Sequence, residues 1–253
     1  SVDSILCPMP IDPRDPAFAA RVRALDPWWF RFETQGLAFG GQVPRDTDKV
    51  DSFFEWVGRL GKAETILELG AHEGSHSLQL AGRRGVKSVV ALEGRPDNVR
   101  RAHLVLEAFP APNVDFRHYD LERFDPAEFR GFDAVFCSGL LYHLPEPWTL
   151  IRKLAGVCRF LYLDTHYAAA EEVRVGPYRG RWHPEGPDPL SGLSPRSFWL
   201  TFLDLVLVLM ENGFLVRYLR DGANGQKDRA WIFAERVGAH EVGGCPDLTG
   251  SRG

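Results

Sequence analysis

The 253-residue sequence has few cysteines, no long apolar segment and no signal for export. Its cysteines, Cys7, Cys137, Cys158 and Cys245, form no CxxC pair, which excludes the usual spacing of zinc ribbons and predicts reduced thiols in a cytoplasmic protein. The longest apolar stretch, residues 198–210, is interrupted by polar residues and is too short to span a bilayer, so we expect no membrane association. The first residues lack the basic start and apolar core of a signal peptide.

Positive charge is also not in excess. The 30 basic and 34 acidic residues give a net charge of −4, so no global positive field attracts a polyanion, and a nucleic-acid partner is not indicated. Apolar residues make up 44% and charged residues 25%, as in ordinary folded proteins. This length suffices for one α/β domain with a well-buried core, and it leaves the oligomeric state open.

Short apolar segments alternate with segments of helical periodicity. Strands of this length with helices between them favour parallel pairing through right-handed crossovers. We predict strands at 65–69, 88–92, 114–117, 134–137, 160–163, 214–219 and 229–235, and helices at 46–60, 75–83, 96–107, 148–157 and 195–212. The last two strands follow each other closely enough to form an antiparallel hairpin. The predicted fold is therefore α/β: a Rossmann-like, doubly wound sheet of seven strands, mostly parallel.

The segments outside this alternation have their own composition. Residues 1–45 are rich in proline and aromatic residues and are predicted to cap the domain formed by residues 46–237. Within that domain, residues 167–194 break the helix–strand alternation, which indicates a long substrate-binding loop or, alternatively, a surface insertion. Residues 238–253 are glycine-rich and are expected to form a flexible tail.

The first predicted strand leads into a glycine-containing turn. In the sequence ILELGAHEG, residues 66–74, the strand ends in Glu68, and Gly70 and Gly74 precede a helix. Glycines at such a turn allow a ligand to lie against the backbone. The dinucleotide fingerprint G-x-G-x-x-G is absent, because His72 occupies the position of its second glycine. By itself this spacing is also compatible with a purely structural turn.

Two further acidic residues follow neighbouring strands. Glu93, which lies 25 residues after Glu68, ends the second strand and can accept hydrogen bonds from both hydroxyls of a ribose. Asp120 follows the third strand and can accept one from an adenine amino group. Each acid alone is compatible with a helix cap. Because the carboxyl ends of parallel strands converge on one crevice, the three together favour a nucleoside-binding site.

These motifs, with the segment FDAVFCSGLLYHL at residues 132–144, resemble the class I S-adenosylmethionine-dependent methyltransferases over residues 46–163. The resemblance implies S-adenosyl-L-methionine as the cofactor. It implies that Glu68, Gly70 and Gly74 hold the methionine end, that Glu93 holds the ribose and that Asp120 lies beside the adenine. The further cofactor contacts that it implies are Leu121, Ser138 and Gly139. The sequence departs from many members at Ala71 and His72, where they have glycine.

Methyl transfer to a hydroxyl requires a base. His143 and His166 follow the fourth and fifth predicted strands, and imidazole changes charge near neutral pH, so both are candidate catalytic bases. A hydrogen-bonded structural histidine is the alternative for each. We expect no metal, because His143, His166 and Asp164 lack the ligand spacing of known metal motifs.

Aromatic and basic side chains near the predicted crevice are candidate acceptor contacts. They are Trp29, Arg31, Tyr142, Tyr167, Tyr178, Arg181 and Trp182. Residues 28–32 also show a weaker resemblance to transfer-RNA wobble-uridine-modifying enzymes.

The sequence thus predicts a methyltransferase acting on a small molecule at a hydroxyl oxygen. The alternatives are a transfer-RNA-modifying enzyme that uses the same cofactor site, and a non-catalytic cofactor-binding interaction module.

Overall fold

The computed structural model describes residues 15–34, 37–45, 47–188 and 190–237. Its helices are α1 (Pro16–Arg23), α2 (Asp48–Leu60), α3 (Ser75–Ala81), α4 (Pro96–Ala108), α5 (Pro147–Leu154) and α6 (Phe202–Glu211). Its strands are β1 (Arg31–Thr34), β2 (Leu37–Gly40), β3 (Thr65–Leu69), β4 (Ser88–Glu93), β5 (Val114–His118), β6 (Phe132–Ser138), β7 (Cys158–His166), β8 (Val173–Val175), β9 (Tyr178–Pro184), β10 (Arg196–Leu200), β11 (Phe214–Asp221) and β12 (Arg229–Arg236). In these ranges no helix is both long and apolar enough to cross a membrane.

A seven-stranded sheet in the order β11-β12-β7-β6-β3-β4-β5 forms the centre of the fold. Strands β3 to β7 pair in parallel, and β12 is antiparallel to both β7 and β11. Side chains alternate between the two faces: Leu67 and Leu69 pack on the side of α5 and α6, whereas Ile66 packs on the side of α2 and α3. The predicted doubly wound sheet and its C-terminal hairpin are confirmed.

The described part of the N-terminal segment packs on α4. Phe18 and Phe32 are buried against Leu104 and Val105 of that helix. The carboxylate of buried Glu73 accepts hydrogen bonds from the backbone N–H groups of residues 29 and 30, at 2.8 and 2.9 Å. The segment is thereby fixed at the carboxyl end of β3, as a cap beside the turn that follows this strand.

The chain between β7 and α6 differs from its prediction. Residues 167–194, predicted as a long loop, contain β8 and β9. The predicted helix at 195–212 is wrong in its first part, because Arg196–Leu200 forms β10 and pairs antiparallel with β9. Helix α6 begins only after Thr201, whose side chain accepts the Asp204 N–H. Pairing with a distant strand here overrides the local helical periodicity.

Candidate active site

A cavity of about 350 Å³ lies at the carboxyl ends of the central strands, where β4 and β6 flank β3. Ligands of open α/β sheets bind at this switch in strand order. The N-terminal cap forms one wall. Residues 185–188 and 190–194, which we call the strap, cross the opposite side. The predicted residues that line the cavity are Trp29, Gly70, Glu93, Leu121, Ser138, Gly139, Tyr142 and His143.

The turn after β3 requires glycine for its geometry. Gly70 has φ +74°, and a Cβ at this position would lie 3.0 Å from the Cβ of Leu140. The N–H groups of Gly70 and Ala71 both donate to the carbonyl of Leu92, at 2.9 and 3.0 Å, which ties the turn to β4. Gly74, with φ +83°, precedes α3 and faces α4, so the structure places it behind the cavity wall.

Glu93 has the most defined environment on the cofactor side. Its Oε2 accepts the backbone N–H of His72 at 2.8 Å, and its Oε1 accepts that of Arg95 at 2.8 Å. The carboxylate is buried yet lines the cavity. Asn98 Nδ2 also donates to Oε1, at 3.4 Å, so a free lone pair remains on Oε2, where Glu93 can accept a hydrogen bond from a ribose hydroxyl.

The other two predicted acids do not line the cavity. Glu68 is buried behind the turn, where it accepts a hydrogen bond from the Ser77 hydroxyl at 2.5 Å. Burial raises the pKa of Glu68 to about 8, so this group is mainly protonated at neutral pH. Asp120 is partly exposed and accepts the Glu122 N–H at 3.1 Å; its neighbour Leu121 reaches the cavity instead.

A buried ionic cluster lies beside Ser138. The Asp164 carboxylate accepts two hydrogen bonds from the Arg229 guanidinium, both at 2.7 Å, and Lys49 Nζ lies 2.8 Å away. Burial alone would raise the pKa of Asp164, but the two cations outweigh this effect and lower it to about 2. Lys49 and Arg229 both line the cavity. With two cations for one carboxylate, this wall carries a net positive charge.

His143 is held by a carboxylate from the strap. Its Nδ1–H donates to both oxygens of Glu185, each at 3.0 Å. Burial lowers the pKa of His143, and this outweighs the opposite effect of Glu185, so the imidazole is neutral at pH 7. Burial would raise the pKa of Glu185, but the nearby Ser197 hydroxyl and the hydrogen bonds from Gly192 and His143 together lower it. With Nδ1 protonated, Nε2 is left as a proton acceptor.

The second candidate base, His166, does not line the cavity. Its Nδ1 lies 3.2 Å from the carbonyl of Asp228, and its ring stacks on Trp199 at a centroid distance of 4.9 Å. Tyr142 packs edge-on against it at 4.8 Å and separates it from His143. His166 therefore supports the wall formed by Tyr142.

Of the predicted acceptor contacts, the structure brings only Trp29 and Tyr142 to the cavity. Arg31 is exposed and pairs with Glu33 at 2.7 Å. Arg31, Tyr167, Tyr178, Arg181 and Trp182 do not line this cavity, and as acceptor contacts they stay predictions. The last four contact other side chains on or near the β8–β10 sheet. Their partners are, in turn, Asp221, Trp148, Trp199 and Phe198.

The strap is bound to the strand ends at several points. Arg95 Nη2 donates to the carbonyls of Ser191 and Gly192, at 2.8 and 3.0 Å. The Glu122 carboxylate accepts both the N–H and the hydroxyl of Ser194, at 3.1 and 2.8 Å. A Cβ at residue 192 would lie 2.4 Å from the His143 carbonyl, so the strap approaches the base closely. These contacts hold the strap along one side of the cavity.

Several cavity residues were not predicted from the sequence. Those that line the cavity include Lys49, His72, Arg95 and Arg229. Glu185, the hydrogen-bond partner of His143, was also not predicted. Glu185 lies 42 residues from its partner His143, so no local spacing connects them. Among the described residues no group of three His, Cys, Asp or Glu side chains is arranged to hold a metal ion.

Comparison with known proteins gives a consistent set of relatives. A family model described as a methyltransferase domain matches residues 66–160. The solved N-terminal domain of EvdMO1 with S-adenosylhomocysteine bound is 33% identical, with a TM-score of 0.77 over 90% of this chain and 98% of that domain. The same domain, solved in the presence of S-adenosylhomocysteine and D-fucose, gives a TM-score of 0.76.

A curated relative is similar over a shorter range. The tRNA U34 carboxymethyltransferase of Methylococcus capsulatus is 31% identical over 146 residues, which are 54% of this chain and 43% of that protein. The chain thus spans less than half of the curated relative that it matches. It also covers 47% of the complete EvdMO1 chain.

Proposed function

The chain belongs to the class I S-adenosylmethionine-dependent methyltransferases, and on this premise we propose that it methylates a hydroxyl oxygen of a small-molecule acceptor. One observation carries the proposal. A neutral histidine, His143, lines the same cavity as Glu93, and a buried carboxylate fixes its tautomer. A hydroxyl acceptor needs a base at the cofactor cavity to remove its proton, whereas a thiolate acceptor has no proton to remove.

The residues present fit the cofactor. Glu93 would hold the ribose, and the Gly70 turn would face the methionine end together with Ser138 and Gly139, while Leu121 would pack beside the adenine. The fit rests on the donor set, because the Glu93 carboxylate lines the cavity and its Oε2 keeps a free lone pair. When bound, the cofactor supplies a methyl carbon already activated on a sulfonium.

The chain's own residues then have separate tasks. His143 Nε2 accepts the proton of the acceptor hydroxyl, and the Glu185 carboxylate stabilises the imidazolium that forms. Lys49 and Arg229 add positive potential where negative charge develops on that oxygen. The strap and the cap exclude water and hold the acceptor in place, a positioning effect worth roughly 7–11 kcal/mol at most.

Two features support a small acceptor. The cavity of about 350 Å³ lies between the cap and the strap, which suits a molecule of limited size. The net charge of −4 gives no global attraction for a polyanion. The similar EvdMO1 domain was solved in the presence of D-fucose, a hydroxyl-rich sugar, and this favours sugars as the first acceptors to test.

The test combines calorimetry with methyl-transfer assays. We expect the folded chain to bind S-adenosylmethionine and S-adenosylhomocysteine, and to methylate a member of a sugar and polyol panel that includes D-fucose. Absence of cofactor binding by the folded wild-type chain would reject the proposal. Binding without turnover across hydroxyl acceptors, but with turnover of thiols or amines, would reject oxygen as the acceptor atom.

A second candidate is a transfer-RNA-modifying activity, favoured by the similarity to the tRNA U34 carboxymethyltransferase. This function requires a basic surface that binds phosphates. Titration with transfer RNA distinguishes the two candidates. We expect weak binding that is lost at physiological salt, and tight binding that persists there would favour the second candidate.

A further inference from the structure

Two cations reach the cavity surface beside Ser138, and the carboxylate that pairs with them lies behind that surface. The side chains of Lys49 and Arg229 are each 12% exposed and line the cavity, whereas that of Asp164 is fully buried. Arg229 already pairs with both oxygens of Asp164, at 2.7 Å each. Within the described part of the chain, the charge of the second cation, Lys49, therefore has no carboxylate of its own in this wall.

The other acids at the cavity are engaged elsewhere. Glu93 lies at the proposed ribose end, and Glu122 accepts two hydrogen bonds from Ser194. Glu185 lies behind His143 and is only 2% exposed. The wall formed by Lys49 and Arg229, which we call the cation wall, thus keeps a net positive charge towards the cavity.

Both cations have hydrogen-bond donors beyond those that the protein uses. An ammonium has three N–H groups and a guanidinium has five. Asp164 pairs with one N–H of Lys49 and accepts two from Arg229, and the Gln226 side chain accepts a further one from Arg229 at 2.9 Å. Because a largely buried cation is unfavourable without a full set of partners, the cation wall favours an anionic ligand.

The cation wall is one side chain away from the candidate base. The guanidinium carbon of Arg229 lies 5.9 Å from the centre of the Tyr142 ring, and that ring lies 4.2 Å from the ring of His143. A molecule whose hydroxyl reaches His143 therefore places its neighbouring substituents near Lys49 and Arg229. This position assigns the positive charge to the acceptor side of the cavity.

We propose that the acceptor carries an acidic group, a carboxylate or a phosphate, which Lys49 and Arg229 bind while the acceptor hydroxyl lies at His143. A sugar acid or a sugar phosphate has both groups. The inference rests on the proposed function and narrows its acceptor class. A charge that develops on the acceptor oxygen uses the cation wall only in the transition state, whereas a permanent anion also contributes to binding.

The first test compares sugars that share their ring hydroxyls and differ in charge. D-Galacturonate carries a carboxylate where D-fucose carries a methyl group, and D-galactose 6-phosphate is the charged counterpart of D-galactose. The chain is saturated with S-adenosylhomocysteine and titrated with each sugar by calorimetry, and KM and kcat are measured with S-adenosylmethionine. We expect at least one acidic sugar to bind about tenfold or more tightly than its neutral counterpart, with a correspondingly lower KM.

The second test uses Lys49→Met, which removes the charge and keeps a long side chain. Lys49→Arg is the conservative variant, and Lys87→Met is the matched control, because Lys87 is exposed, pairs with Glu64 and does not line the cavity. Lys49→Met should reduce the preference for the acidic sugar to within about threefold, since its charge-assisted contact is lost. Lys49→Arg should keep most of the preference and Lys87→Met all of it. Affinity for S-adenosylhomocysteine should stay within about twofold in every variant, since the ribose end is distant from the substitution.

The alternative outcomes are distinct. Neutral sugars that bind as tightly as their acidic counterparts, or acidic sugars that do not bind, would overturn the inference. A preference that persists in folded Lys49→Met would also overturn it; if this variant does not fold, the wild-type comparison of the sugars decides. If Lys49→Met binds S-adenosylhomocysteine more weakly but 5′-methylthioadenosine normally, the cation wall holds the amino-acid end of the cofactor instead.

The same measurements separate this inference from the proposed function. Tight binding of an acidic sugar without its methylation would support the cation wall and reject that sugar's hydroxyl as the methyl acceptor. Methylation of neutral sugars alone would support the proposed function and overturn the inference.

Discussion

The two halves of the cavity are built in different ways. On the cofactor side, Gly70, Glu93 and Leu121 each follow a strand of the parallel sheet within a few residues. On the acceptor side, the cap, the strap and β12 bring together groups far apart in the sequence, such as Glu185 and Arg229. In the proposed site, cofactor recognition therefore depends on local strand–turn–helix units, whereas the acceptor environment depends on long-range packing. Substitutions in the two halves should separate into effects on cofactor affinity and effects on rate.

The largest expected effect is on the acceptor side. His143→Ala should lower the single-turnover rate of methyl transfer roughly 10²–10⁴-fold, because the base is lost, and leave cofactor affinity within about twofold. In the wild type, the rate should fall as pH decreases through a pKa below the ordinary value of about 6.5, since burial lowers the pKa of His143. His143→Ala should lose this acidic limb. Rate–pH profiles with parallel calorimetry measure both.

Glu185→Gln tests the partner of that base. The variant should be about ten- to a hundredfold slower, and its acidic limb should move to lower pH, because the Glu185 charge raises the pKa of the His143 imidazole. His166→Ala is the matched control and should retain a rate near that of the wild type. If His143→Ala keeps both its rate and its pH profile, catalysis does not use this base.

On the cofactor side, the effect should be on affinity. Glu93→Ala removes the charged acceptor proposed for the ribose and also releases the N–H groups of His72 and Arg95. Because hydrogen bonds to charged groups contribute about 1.5–3 kcal/mol each, S-adenosylhomocysteine should bind more than tenfold more weakly. Glu93→Gln, which keeps the shape and one carbonyl acceptor, should lose less. Equal affinity of the wild type and both variants for S-adenosylhomocysteine would show that Glu93 does not contact the cofactor.

The same comparison explains what the sequence predicted. The strands β3 to β6 and the positions of Gly70 and Glu93 follow from apolar runs, acids and glycines that are adjacent in sequence. Strand β10 was mistaken for helix because its apolar run continues into α6, and only its partner β9 distinguishes the two. The link between His143 and Glu185 has no local signal at all. What depends on pairing between distant segments could not be predicted from periodicity.

Glu68 provides a test of folding stability that does not depend on ligand binding. Its folded-state pKa of about 8 lies above the usual value near 4.5, so its favourable contribution is complete below pH 4.5 and is lost as pH rises towards 8. Glu68→Gln cannot ionise. Between pH 6 and pH 7.5 we expect the free energy of unfolding of the wild type to fall by about 2 kcal/mol relative to that of the variant. Denaturant titrations at the two pH values measure this difference, and a difference independent of pH would contradict the raised pKa.

The smallest expected effect lies within the cap, where two neighbouring residues differ in position. Trp29 lines the cavity, whereas Arg31 is exposed and pairs with Glu33. Arg31→Ala should therefore change KM for the acceptor less than about twofold, since exposed ion pairs contribute little. Trp29→Ala should raise that KM roughly three- to tenfold through loss of an aromatic contact, with cofactor affinity unchanged. If Arg31→Ala has the larger effect, the acceptor reaches beyond the cavity onto the outer face of the cap, and a larger acceptor such as transfer RNA would then be favoured over a small molecule.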